Sequence, residues 1–276
     1  MKGKLILVAT PIGNLGDVSA RAREALAAAD VVACEDTRRT AKLLAHLGLE
    51  KSLLIYADHN EAAAAVKIMK RLSRGETVAL VTDGGTPLLA DPGYVVVQKA
   101  LAAGLEVDFI PGPSAVHAAL ALSGLPPYPY AFLGYLPRRP AERQSFLARY
   151  ASVPATVVLF VAPHRVVAEL EAVREAWGDR PAALARELTK VHQEVIRGCV
   201  TALIEKARAR RLRGELTLAV AGGEETPNLA AALELARDLA AAGLAKARAA
   251  AAAARAFKVP KNLVYKDLAA KGGGAE

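Results

Sequence analysis

Short, unbroken apolar runs alternate with alanine- and leucine-rich stretches from the start of the chain. Residues 5–9, 31–34, 53–56, 78–82 and 107–110 read as buried strands, with helices between them. Ser19 is placed to cap a helix reaching about residue 29, and a second helix is expected over 37–47. Strands apolar on both faces and separated by helices belong in a largely parallel sheet, joined by right-handed crossovers. The fold class is therefore α/β.

The pattern is interrupted at Leu125-Pro126-Pro127-Tyr128-Pro129. A proline cluster ends helices and stiffens a linker, so a domain boundary is expected there. Strands resume at 131–136, 156–161, 182–187 and 216–221, with the clearest helix over 165–177. A chain of 276 residues has room for two such α/β domains. From residue 229 the composition shifts again. Residues 249–254 are unbroken alanine, which favours helix, and Pro260 separates that run from a short helix over 261–270. The expected organisation is 1–125, 126–228 and a small basic helical extension, 229–276. Gly272-Gly273-Gly274 reads as a frayed tail.

Charge enters the argument here. The formal net charge is +8, and from residue 231 eight basic residues face four acidic ones. Half of the positive surplus thus lies in the last sixth of the chain. A polyanionic partner, nucleic acid first, fits this distribution; a solvated helical appendage is the alternative. The two cysteines, Cys34 and Cys199, have no metal-ligand or disulfide spacing and lie in apolar runs. They are expected to be buried free thiols of a cytoplasmic protein. The apolar run at residues 4–9 is too short for an export signal or a membrane span.

Candidate chemistry sits in the loops after the strands, where open α/β sheets bind ligands. The first strand leads into Thr10-Pro11-Ile12-Gly13-Asn14-Leu15-Gly16-Asp17, which is neither a dinucleotide fingerprint nor a P-loop. The second leads into Glu35-Asp36-Thr37-Arg38-Arg39-Thr40. Asp36 or Thr37 can cap the next helix, and Glu35 can hold a hydroxyl group. Arg38 and Arg39 oppose the helix dipole, which makes phosphate binding a better reason for them than local stability. Asp58-His59-Asn60-Glu61 follows the third strand, with Asn60 as a helix cap and His59 on the surface or facing the same cleft. The fourth leads into Thr82-Asp83-Gly84-Gly85-Thr86-Pro87-Leu88-Leu89-Ala90-Asp91-Pro92-Gly93. Two prolines and three glycines fix the shape of this loop, and Asp83 at the end of a buried strand needs a partner. After the fifth strand, Pro113 suits the first position of a helix whose free amides can meet an anion.

Taken together, in this order and spacing, these loops resemble the tetrapyrrole methylase family, and the resemblance covers nearly the whole chain. Phe132-Leu133-Gly134-Tyr135-Leu136-Pro137-Arg138 and Arg186-Glu187-Leu188-Thr189-Lys190 are similar to its small-subunit (16S) rRNA cytidine 2′-O-methyltransferase branch. The resemblance implies two α/β domains of that type with a cofactor cleft between them, and a homodimer. It implies S-adenosyl-L-methionine as cofactor, held by Pro11, Asp83, Gly84, Gly85, Thr86, Ser114, Ala115, Phe160, Val161, Leu188 and Ala219. The reaction implied is methyl transfer to a ribose 2′-hydroxyl of small-subunit ribosomal RNA or the 30S particle. Glu35, Asp36 and His59 are the candidates for a base, and Arg38, Arg39, Arg138, Arg139 and Lys190 for RNA phosphates. Tyr135 or Phe132 can stack on a base, with core packing preferred for Phe132. No dedicated metal cage is legible. The rival readings are a methyltransferase of the same fold acting on a corrin precursor or a protein, and a non-catalytic RNA-binding assembly factor.

Overall fold

The computed structural model describes residues 3–223 and 229–270. The first sheet holds β1 (Lys4–Val8), β2 (Val31–Cys34), β3 (Leu53–Ile55), β4 (Thr77–Leu80) and β5 (Glu106–Ile110). All its pairings are parallel, in the order β3-β2-β4-β1-β5. That order brings the carboxyl ends of β2, β4 and β1 side by side, so the loops singled out in the sequence share one edge. Burial explains the strands: all four residues of β2 are buried, between an apolar layer with α1 (Ala20–Ala28) and α2 (Thr37–His46) and another with α3 (Glu61–Ser73) and α4 (Tyr94–Ala102). Ser19 caps α1, accepting from the Ala22 amide, and Asp36 caps α2.

The second sheet is mixed. It holds β6 (Tyr130–Tyr135), β7 (Thr156–Val161), β8 (Pro181–Arg186), β9 (Glu194–Cys199) and β10 (Leu216–Val220), in the order β6-β7-β10-β8-β9. Only β6 and β7 run parallel; the other pairs are antiparallel. Helix α5 (Ala115–Ser123) packs on this sheet, with Val116 and Leu120 against Val158 and Ala219. The expected boundary near residue 125 falls between α5 and β6. Helices α6 (Pro140–Ala148), α7 (Val166–Trp177) and α8 (Val200–Ala209) pack in series, α7 on α6 and α8, and α8 on β8 and β9.

The first compact unit, Met1–Ala148 with Ala155–Ala221, contains both sheets; the second comprises Arg149–Pro154 and Gly222–Glu276. In the second, α9 (Leu229–Ala241), α10 (Lys246–Ala256) and α11 (Lys261–Ala270) bury a small core of their own. Its centre is alanine, from Ala232, Ala236, Ala249, Ala250 and Ala253, closed by Val264 and Leu268. The expected boundary at 228 and the tail at Gly272–Gly274 lie outside the described residues. Among the described residues, no helix is long and apolar enough to cross a membrane.

Two local expectations are corrected. Pro113 is not the first residue of α5: Ser114 is its cap, its Oγ facing the His117 amide at 3.5 Å, and the helix starts at Ala115. Cys34 is buried as expected, but Cys199 is only half-buried, because it ends an edge strand.

Candidate active site

Two contacts fix the shape of the site. Thr10 and Gly85 exchange both backbone hydrogen bonds, at 2.9 and 3.0 Å, and Thr10 Oγ1 donates to the Thr82 carbonyl at 3.0 Å. The loop after β1 is thereby tied to the loop after β4. The loop after β2 joins them through Asp83, whose Oδ1 accepts from the Asp36 amide at 3.1 Å and whose Oδ2 lies 3.6 Å from Arg39 Nε.

These loops line a cavity of about 400 Å³ together with segments of the second sheet. Glu35, Arg39, Asp83, Gly84, Gly85, Thr86, Ser114 and Ala115 come from the first domain, and Phe160 and Val161 from β7. The fold thus brings nine of the cofactor or catalytic candidates and one RNA candidate to one place. Pro11 lies in an adjoining niche of about 80 Å³ that shares Arg39 and Asp83 with the cavity. Leu188 and Ala219 do not line it. Leu188 is buried with Ile12, Ala119 and Ala185, and Ala219 is buried under α5, so both are core beneath the site.

The catalytic candidates separate clearly. Glu35 lines the cavity, and burial, with Asp83, Asp91 and Asp58 nearby, raises its carboxyl above the usual range against the pull of Arg39. Asp36 does not line it. Its carboxylate is held by Arg38 Nε at 3.1 Å and Nη2 at 2.7 Å, which brings it down to about 2 and makes it a poor base. His59 is exposed in the turn before α3 and does not line the cavity; its neighbour Asp58 is the group that acts on Glu35.

The RNA candidates also differ. Arg38 is exposed beside Asp36, while Arg39 reaches into the cavity. Arg138 and Arg139 are exposed between β6 and α6, and Arg139 pairs with Glu142 at 2.9 Å. Lys190 is committed within the chain: its ammonium lies 2.9 Å from Glu187 Oε1 and 3.2 Å from Glu215 Oε2. Its aliphatic stem crosses Gly13 so closely that a methyl group there would sit 2.4 Å from Lys190 Cγ. That residue fastens the second domain to the loop after β1, which leaves its charge a poor candidate for phosphate.

Several lining residues were not singled out in the sequence. Asp91, Leu89 and Ala90 belong to the long loop after β4, where only its first half was assigned a role. Pro163 and His164 follow β7, and a Pro-His-Arg sequence after a buried strand was a usable signal. Glu215 precedes β10 with no motif to mark it. Tyr135 is 55% exposed on the cavity rim, its ring tilted against Phe160 at 5.3 Å. Phe132 instead packs edge-on against Phe160 as part of the core. Among the described residues, no group of three or more His, Cys, Asp or Glu could hold a metal ion.

A parallel sheet with its site at the carboxyl edge, facing a second mixed sheet, defines a class that sequence comparison identifies. The chain belongs to the Tetrapyrrole (Corrin/Porphyrin) Methylases, whose family model matches residues 4–204. It is 42% identical over 271 residues to the ribosomal RNA small subunit methyltransferase I of Micromonospora olivasterospora, covering 96% of this chain and 86% of that one. The protein of the same name from Thermotoga maritima is 40% identical over 222 residues, which are 80% of this chain and 100% of the relative. Among solved structures, the methyltransferase CobJ matches with a TM-score of 0.63 at 18% identity, covering 80% of this chain and 94% of that one. Diphthine synthase matches with a TM-score of 0.62 at 17% identity, covering 79% and 90%. At such identities the likeness is one of fold.

Proposed function

We propose that this chain is an S-adenosylmethionine-dependent methyltransferase of small-subunit (16S) ribosomal RNA, acting on a cytidine ribose 2′-hydroxyl. The observation that carries this reading is the 42% identity, over 96% of the chain, to a ribosomal RNA small subunit methyltransferase I.

The cavity suits the cofactor. About 400 Å³ falls within the range of small-molecule sites. Ile12, Leu89 and Phe160 offer apolar walls to a purine, while Glu35, Asp83, Asp91 and Glu215 outnumber the single guanidinium of Arg39. An anionic cavity matches a ligand bearing a sulfonium and an ammonium. S-adenosylmethionine, when bound, supplies a methyl group on an excellent leaving group. Asp83, Gly84, Gly85, Thr86, Ser114, Ala115, Phe160 and Val161 would hold it, with Pro11 behind Asp83.

The protein's own work is then mainly positioning, which can contribute roughly 7–11 kcal/mol when reactants are well aligned. Tyr135 stands on the rim where a base can stack. Arg38, Arg39, Arg138 and Arg139 supply positive charge for phosphates, and the exposed Lys246, Arg248, Lys261 and Lys266 of the C-terminal helices add more. The same reading includes a cytoplasmic homodimer, which light scattering on the purified protein tests.

The reading is tested by calorimetric titration with S-adenosylmethionine and by RNA binding at several salt concentrations. Cofactor binding with a steep salt dependence for small-subunit RNA supports it. Cofactor binding without RNA affinity points to a corrin precursor or protein substrate, and RNA affinity without cofactor binding to an assembly factor.

A further inference from the structure

The geometry points to Asp91 as the catalytic base, a role that rests on the reaction proposed above. Its carboxylate takes the proton of the attacking hydroxyl. As the hydroxyl oxygen bonds to the methyl carbon, the carbon–sulfur bond breaks, its electron pair stays on sulfur, and the proton passes to Asp91.

Elimination among the cavity's carboxylates leads there. Asp83 is occupied by the Asp36 amide and Arg39, and Glu215 by Lys190. Glu35 and Asp91 remain, and Arg39 acts on Glu35 whereas, among the described residues, no cation acts on Asp91. Asp91 is therefore the carboxylate of the cavity wall that no guanidinium or ammonium among the described residues holds in place. Burial, with Asp83 and Asp58 close by, pushes it up to about 6 against the pull of the Thr82 hydroxyl. The charged and titratable groups around it come from every neighbouring loop: Asp83 after β4, Asp58 before α3, and Glu35 and Arg39 after β2. Tyr135, His164 and Glu215 come from the second domain.

The backbone is built to hold this side chain. Leu88 and Ala90 adopt φ values of 73° and 68°, a conformation unfavourable for residues with a Cβ. Leu88 precedes, and Ala90 lies within, the segment that puts Leu89, Ala90 and Asp91 on the cavity wall. The loop's far end is pinned by Glu61, whose Oε1 accepts from the Gly93 amide at 3.0 Å and from Tyr56 Oη at 2.9 Å. Gly93 itself has a φ of 145°, and a Cβ there would press on Leu88 at 2.8 Å. Strain kept at a cavity wall and anchored behind it is the mark of a positioned group.

Asp91→Asn keeps the shape and removes the proton acceptor. Wild type and variant are compared in single-turnover transfer of labelled methyl from S-adenosylmethionine to small ribosomal subunits lacking the modification, with cofactor affinity measured by calorimetry. The variant is expected to be slower by about 10²–10⁴-fold, with cofactor affinity changed by no more than about threefold. The wild-type rate should fall with acidity below a pH of about 6, and the variant's residual rate should lack that limb. A variant as fast as wild type, or impaired only in cofactor affinity, overturns the assignment. Should the variant fail to fold, a wild-type rate that is flat from about pH 5 to 7 overturns it equally. Absence of transfer by the wild-type protein overturns the reaction itself, which separates the two failures.

Discussion

The backbone N–H of Asp36 donates to Oδ1 of Asp83 across 3.1 Å, so one carboxylate ties the end of β2 to the end of β4. An acid at the end of a buried strand is costly without a partner, and here it has an amide and a guanidinium. The loop that would hold the cofactor is therefore shaped before any ligand arrives.

Asp83→Ala is expected to weaken S-adenosylmethionine binding by roughly 10–100-fold, the value of a charge-assisted hydrogen bond of about 1.5–3 kcal/mol. The fold should survive, because Asp83 lies at the sheet's edge and not in its core. Calorimetry and circular dichroism on the same sample check both halves.

Lys190→Ala should act on stability and not on RNA. Its removal leaves Glu187 and Glu215 without their shared ammonium, although Glu187 Oε1 still accepts from the Glu215 amide at 2.9 Å; with partial exposure and solvent screening the loss is limited to about 1 kcal/mol. A thermal melt should show the drop. The slope of RNA affinity against salt should be unchanged, whereas a lysine gripping phosphate would lower it by about one unit.

Arg38→Ala is expected to weaken RNA binding and flatten its salt dependence without altering cofactor affinity, since Arg38 is exposed and outside the cavity. Arg39→Ala should affect both, because Arg39 lines the cavity beside Asp83. Filter binding over a salt series, with calorimetry alongside, separates the two arginines.

Asp91→Asn should also change the dependence of stability on pH. Its folded pKa, about 6, lies above the ordinary carboxylate value, so the folded state holds the proton longer than the unfolded one. Below about pH 4 both states are protonated and the residue costs nothing. As pH rises toward 6 the unfolded chain ionises first, so the native aspartate increasingly destabilises the fold. The asparagine variant should therefore melt higher than wild type at neutral pH, with the gap closing in acid.

Removing residues 229–276 should leave cofactor affinity intact and lower RNA methylation. Among the described residues, the cavity proposed for the cofactor is lined entirely by residues up to Thr217, and α9, α10 and α11 bury a core of their own. The Thermotoga maritima relative is accounted for in full by 80% of this chain, so about a fifth of it has no counterpart there. Undiminished methylation by the shortened protein would show that the basic helices serve something else.

The alternation of apolar runs and helices was legible because the central strands are buried on both faces. β2 and β7 begin and end at the residues expected. Other strand ends move by a residue or two, where polar caps and strand termini overlap. The edge strand β9 was not legible: in Glu194–Cys199 only Ile196 is buried, too little for a pattern. Nor was the mixed second sheet, since β10 is buried along its whole length and reads the same in either direction. The resemblance placed Leu188 and Ala219 at the cofactor, but α5 and the second sheet enclose them. Asp91 stood in a quoted loop. Its environment depends on the order β3-β2-β4-β1-β5, which gathers residues from separate loops and is not written in any one of them.

The central claim is tested most directly by incubating the protein with labelled S-adenosylmethionine and small ribosomal subunits from cells that lack it, then mapping the label by nuclease digestion. The account predicts one labelled cytidine, with the methyl group on its ribose 2′-oxygen. Label on a base, on protein or nowhere, with cofactor binding intact, would contradict it.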